Sequence, residues 1–159
     1  MWRRIQSDER IAPVEFAMVE SLADACVLLR EGHTPHSLLV AMDAERAGAA
    51  DLGRLSAAIV DSGCFWMSAW GPGCSHVDDA VDMELVMREI GGRPLGRLLM
   101  TAWHERESFV EATECVMFAA MPSDEWKLES WTRRVLVIGD VIAEGEARRA
   151  VEDVVKPGA

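Results

Sequence analysis

The sequence predicts a three-layer α/β domain, with a doubly wound, mostly parallel sheet of about five strands in flavodoxin-like order. Three observations carry this. Apolar runs of strand length alternate with stretches of helical periodicity along the chain. The runs are apolar at successive positions, as strands buried on both faces require. And 159 residues, 50% of them hydrophobic, suit a single domain with one sizeable core.

Met1 to Pro13 reads as a polar N-terminal leader, ordered in part by Trp2 and Ile5, and the domain proper runs from residue 14 to 159. Val14 to Val19 is the first strand. Ser21 and Asp24 open a helix as a capping box, and Gly32 after Glu31 is its stop. Ser37 to Met42 is the clearest buried strand. A helix from Ala49 to Asp61 follows, with Leu52, Leu55 and Ile59 at helical spacing and Gly63 ending it. Cys64 to Trp70 is the third strand and Gly71-Pro72-Gly73 a tight turn. Ser75 then caps a helix whose inner face carries Val77, Val81 and Leu85, broken by Gly91, Gly92 and Pro94. Leu98 to Trp103 is the fourth strand, with a helix from Ser108 to Ala120. Val135 to Ile138 is the fifth, with a charged helix from Ala143 to Val155.

A formal net charge of −11 repels a phosphate backbone, and the basic residues are scattered arginines with lysine only at Lys127 and Lys156. Nucleic acid and anionic membranes are disfavoured; a protein or small-molecule ligand remains. The longest apolar stretch, Cys115 to Met121, is too short to span a bilayer. Arg3 and Arg4 are not followed by the apolar core of a secretory signal, so the expected address is the cytoplasm. Cys26, Cys64, Cys74 and Cys115 have no zinc-ribbon or disulfide-framework spacing and are expected as thiols. The Ala- and Arg-rich usage suggests a high-GC bacterial source.

In open α/β sheets ligands bind outside the carboxyl ends of the strands. Those ends here are Glu20, then Asp43 and Glu45, then Trp70 to His76, then Trp103, His104 and Glu105, then Gly139 and Asp140. The candidate ligand-binding residues are therefore Trp70, Gly71, Gly73, Ser75, His76, Trp103 and Asp43. Carboxylates in such loops also simply favour helix N-termini. In the turn, Gly71 and Gly73 let a ligand approach the backbone, and the helix behind it suits an anion. It is no dinucleotide fingerprint, because His76 holds the third glycine position; nor is it a P-loop, because no Gly-Lys-Ser/Thr follows. The simpler reading is a tight turn with a capping serine.

Cys74 beside a helix N-terminus, with His104 or His76 as base and Glu105 or Asp140 as orienting group, sketches a hydrolase. The competing reading is an unreactive cysteine packed under Trp70. Cys64 lies about 20 Å away along its strand, beyond disulfide range. Ala80 stands where a thiol phosphatase needs arginine. Zinc on Cys74, His76 and His104, or Mg²⁺ on the Asp78, Asp79 and Asp82 cluster, is drawable but lacks a recognised spacing. No cofactor or metal is assigned. His33 and His36 precede the second strand, at the opposite edge from His104. A response-regulator receiver is excluded, since the third strand ends in Trp70 and the fifth in Gly139-Asp140.

The segments Met67 to Ser75, Asp78 to Asp82 and Met100 to Glu105 resemble a family of uncharacterised bacterial domain-of-unknown-function proteins. The resemblance covers roughly Leu38 to Ala120 and departs at Val77, where the family often has an aromatic residue. It implies a small intracellular bacterial domain and transfers no catalytic role.

Three functions remain. The first is a non-catalytic binding or regulatory module using the carboxyl edge of the sheet, which the acidic charge favours. The second is a small hydrolase with a Cys/His/carboxylate site at that edge. The third is a homodimeric scaffold joined through exposed tryptophans. Binding is preferred to catalysis.

Overall fold

The computed structural model describes residues 1–5, 12–31 and 34–156. Its sheet contains β1 (Arg3–Ile5), β2 (Val14–Val19), β3 (His36–Ala41), β4 (Cys64–Trp70), β5 (Met100–His104) and β6 (Thr132–Ile138). They lie side by side in the order β1-β2-β6-β3-β4-β5. All neighbours are parallel except β1, which pairs antiparallel with β2. The segment read as a leader thus contributes an edge strand. The reason is local: Ile5 turns into the core while Arg3 and Arg4 stay exposed.

The α/β class and mostly parallel sheet agree with the sequence, but the strand order corrects it. A flavodoxin-like sheet places its second parallel strand outside the first. Here the last strand, β6, inserts between β2 and β3. Burial explains the choice. Six of the seven residues of β6 are buried, so the strand gains most from neighbours on both sides and helices on both faces. Only one of the five residues of β5 is buried, and that strand takes the edge.

Helices α1 (Leu22–Arg30), α2 (Ala49–Asp61) and α3 (Cys74–Ile90) cover one face. The other face is covered by α4 (Phe109–Glu114), which continues as a π-helical turn over Cys115–Ala119, and by α5 (Glu144–Val155). Two apolar clusters result. Leu38, Val40, Met67 and Leu136 pack under α1 to α3; Leu39, Ala41, Val135 and Val137 pack under α4 and α5. Strict alternation along β3 feeds both clusters from one strand.

Cap chemistry set the start of α1 as expected: the Ser21 hydroxyl accepts from the Asp24 amide at 3.2 Å. At the start of α4, Ser108 with Glu111 forms a full capping box. The expected stop at Gly32 and the residue His33 lie outside the described residues. Ser75 is not the cap of α3. Gly73 is, with φ +66°, and the helix begins at Cys74.

At the amino edge of the sheet sits a polar group of residues that the sequence did not reveal. His36 is fully buried, its Nδ1 donating to the Thr34 carbonyl at 2.8 Å, with Ser62 Oγ 3.3 Å from Nε2. Arg134 pairs with Glu15 at 2.8 Å and lies under the Trp2 ring at 4.8 Å. Burial, then the neighbouring Arg134, hold the His36 pKa down at about 3, so the ring is neutral at physiological pH.

Candidate functional site

The strand order decides where a ligand site can form. The loops after β2, β3 and β4 lead to helices on one face, and those after β5 and β6 lead to the other. Neighbouring loops therefore part at β2/β6, β6/β3 and β4/β5, and a crevice opens where they part. Among the described residues the carboxyl edge accordingly carries three adjoining clefts of about 660, 200 and 680 Å³. Asp140, directly after β6, lines all three.

The cleft of about 680 Å³ is built by four loops. After β3, Asp43 caps a single 3₁₀ turn (Ala44–Arg46), accepting from the Glu45 amide at 3.1 Å, and its other oxygen holds Arg46 Nε at 3.1 Å. After β4 comes the turn Trp70 to Gly73; after β5 come His104, Glu105 and Glu107; after β6 come Asp140 and Val141. The Trp70 indole donates to the Glu107 carbonyl at 3.0 Å and packs edge-on against Phe109, with ring centres 5.2 Å apart. This tryptophan ties the β4 and β5 loops together across the cleft wall.

The two glycines of the turn serve the neighbouring loop rather than a ligand's approach. A Cβ on Gly71 would stand 2.3 Å from the Met42 carbonyl oxygen, and one on Gly73 2.9 Å from Glu45 Cγ. The space above them is filled by the loop after β3. Two backbone bonds lock the loops together, Met42 to Trp70 at 3.0 Å and Ala44 to Pro72 at 2.8 Å.

Of the residues singled out from the sequence, the cleft gathers Asp43, Trp70, Gly71, Gly73, His104, Glu105 and Asp140. It leaves out four. Cys74 is 1% exposed and belongs to the core under α1 to α3. Burial raises its thiol pKa, and a hydrogen bond from the His104 backbone offsets only part of that. The nucleophile sketched from the helix N-terminus is therefore enclosed and protonated, and it lies in the core beneath α3 rather than under Trp70. Ser75 is half-buried within α3. His76 is exposed and lines a separate groove between α2 and α3, beside Leu52, Met83 and Met87. Trp103 is 51% exposed on the outer strand.

His104 is a buried part of the wall, with Nδ1 3.8 Å from Glu107 Oε1. Asp78 and Asp82 share a face of α3 as their spacing predicted, but that face meets β5, where Thr101 Oγ1 donates to Asp82 at 3.0 Å. Burial, and the nearby Asp82 and Asp79, raise the Asp78 pKa. Among the described residues no group of three His, Cys, Asp or Glu side chains is placed to hold a metal ion.

Sequence reasoning missed Arg46, Glu107 and Val141. Arg46 and Glu107 stand three residues after Asp43 and His104, a spacing that brings charged side chains together around one turn. The finished cleft holds five carboxylates (Asp43, Glu45, Glu105, Glu107 and Asp140) against one guanidinium, Arg46, already paired with Asp43.

The sequence matches the model of a family described as a domain of unknown function, DUF7684, over residues 17–158, and the chain belongs to that family. The match extends well past the Leu38 to Ala120 stretch that carries the motif resemblance. No curated protein matches the sequence. Among the described residues, no helix is long and apolar enough to cross a membrane.

Proposed function

We propose that this domain is a non-catalytic binding module whose carboxyl-edge cleft takes a positively charged group, an amine or guanidinium presented by a small molecule or a protein. The observation that carries the reading is the charge of the cleft wall: Arg46 is paired with Asp43, which leaves Glu45, Glu105, Glu107 and Asp140 with no opposing arginine or lysine in the lining. Low-dielectric walls focus such a field on a cation and repel phosphates. The net charge of −11 acts in the same direction. The free thiols Cys26, Cys64, Cys74 and Cys115 support a cytoplasmic setting.

Hydrolysis through Cys74 is not favoured, because its sulfur is enclosed and its pKa raised. Binding needs no such nucleophile.

The test is ligand-induced stabilisation. A cationic probe such as spermidine or an arginine-rich peptide, at about a hundred times its Kd, should stabilise the fold by about 2.7 kcal/mol. The effect should shrink in high salt and in the double variant Glu105→Gln/Asp140→Asn. Stabilisation by inorganic phosphate instead, or a spermidine effect unchanged in that variant, would overturn the assignment.

A further inference from the structure

The two edges of the sheet are built differently. β1 is three residues long and presents exposed Arg3 and Arg4, the charged, short kind of edge that discourages pairing with another chain. β5 has no such protection. Met100, Thr101, Ala102 and Trp103 include no charge and no proline, and the strand pairs with β4 without a bulge. Among the described residues it has a neighbour on one side only. Each face beside the strand leaves an apolar side chain exposed, Trp103 on one and Met100 on the other, with Asp82 bonded to Thr101 on the α3 side. Thr101 and Trp103 project toward α3, where Val86 is 48% exposed one turn beyond Asp82; Met100 projects to the opposite face and is 39% exposed.

We propose that β5 is an assembly edge, on which a second copy of this chain pairs its own β5 antiparallel about a two-fold axis. Two six-stranded sheets then become one continuous sheet. Three features select a second copy as the occupant. An unpaired strand edge demands an extended partner, and β5 itself is one. Centred on Ala102, the pairing sets Met100 against the partner's His104 and Thr101 against the partner's Trp103, so no like charges face each other. The ends of the strand are also complementary. Arg93 and Arg97 precede it, and Glu105 and Glu107 follow it, with Arg106 the only opposing charge between them. An antiparallel dimer brings each basic entry beside the other copy's acidic exit.

Arg97 is held for that role. Its guanidinium stacks 4.0 Å over the Trp126 ring, and among the described residues no carboxylate pairs with it. Stacking uses the face of the guanidinium and leaves its edge donors available. In the dimer the partner's Arg97 approaches the Glu105–Glu107 side of the cleft, so association and cleft share a wall. The association itself holds whatever the cleft binds.

Sedimentation velocity on the full chain tests this. The expected mass is twice 17.5 kDa at micromolar concentrations. Trp103→Lys and Met100→Lys, which place a lysine on either side of the exposed edge, should each weaken the dimer about tenfold or more with an unchanged circular dichroism spectrum. Using both faces keeps the test valid if one variant fails to fold. Arg4→Ser, at the other edge, should leave the dimer intact. A monomer at about 100 μM, well above typical specific affinities, would overturn the proposal. So would a dimer that survives both lysines or is lost in Arg4→Ser.

Discussion

Replacing Gly71 by alanine tests the packing that shapes the cleft. Gly71 has φ +113°, a backbone angle that L side chains rarely adopt, and its new Cβ would lie 2.3 Å from the Met42 carbonyl oxygen. Val141 Cγ2 would lie 3.2 Å away on the other side. A long side chain would swing aside, but this oxygen belongs to backbone held by the bonds of Met42 to Trp70 and of Ala44 to Pro72. Backbone strain costs about 1–3 kcal/mol, and forcing a methyl into filled space costs about 1–3 kcal/mol more. The expected loss is about 4 kcal/mol, a large fraction of a domain's usual stability. Gly53→Ala is the control. Gly53 lies inside α2, and a Cβ there would meet nothing within 4 Å. Removing a helix-interior glycine should gain about 1 kcal/mol. Urea denaturation followed by tryptophan fluorescence reads both variants against the parent. A Gly71→Ala protein within about 1 kcal/mol of the parent, less than either cost alone predicts, would refute the claim that the turn is locked against the β3 loop. A Gly53→Ala protein as damaged as Gly71→Ala would show a general intolerance of added methyls instead.

The pKa of His36, about 3 in the fold, makes stability depend on pH. It lies below the unfolded value of about 6.5, so the unfolded chain binds the proton first. The contribution is therefore complete above pH 6.5 and is lost as pH falls toward 3. Linkage gives a loss of about 2.5 kcal/mol between pH 7 and pH 4.5 from this group. Paired denaturation curves should show that increment missing from His36→Gln; equal pH dependence in the two proteins would count against a buried neutral ring. Thiol labelling at pH 7.5 with an alkylating reagent should modify half-buried Cys115 ahead of Cys74 and Cys64, whose sulfurs are enclosed; burial raises the pKa of all three thiols, that of Cys64 to about 12. Rapid, selective labelling of Cys74 in the folded protein would restore the nucleophile reading.

Local chemistry made much of the fold readable in advance. The span of α2, from Ala49 to Asp61, followed from Leu52, Leu55 and Ile59 at helical spacing. The boundaries of β2 and β4 followed from apolar runs bounded by polar and glycine residues. The start of α4 lies at the expected Ser108, and the capping box it makes with Glu111 emerged only in the structure. Much of the cleft was legible for a related reason: parallel strands separated by helices must bring their following loops to one edge. Asp43, Trp70, His104, Glu105 and Asp140 meet there although nearly a hundred residues separate the first from the last.

Long-range competition for burial decided the rest. Neither helical spacing nor a cap specifies that β6 enters between β2 and β3; its burial on both faces accounts for an interior place, and the packed sheet shows which one. The insertion creates the loop partings beside Asp140. Side-chain direction was likewise settled by packing. Cys74 turns into the core and His76 turns outward, two positions apart at the start of one helix, because the inner face of α3 meets α2 and the sheet. Sequence by itself determined the class of fold and the edge at which the loops bearing Asp43, Trp70, His104, Glu105 and Asp140 gather, since these depend on residue types and spacing along the chain. Only the tertiary structure decided the strand order, the enclosure of Cys74 and the unprotected edge at β5, since each depends on which distant surfaces exclude water from one another.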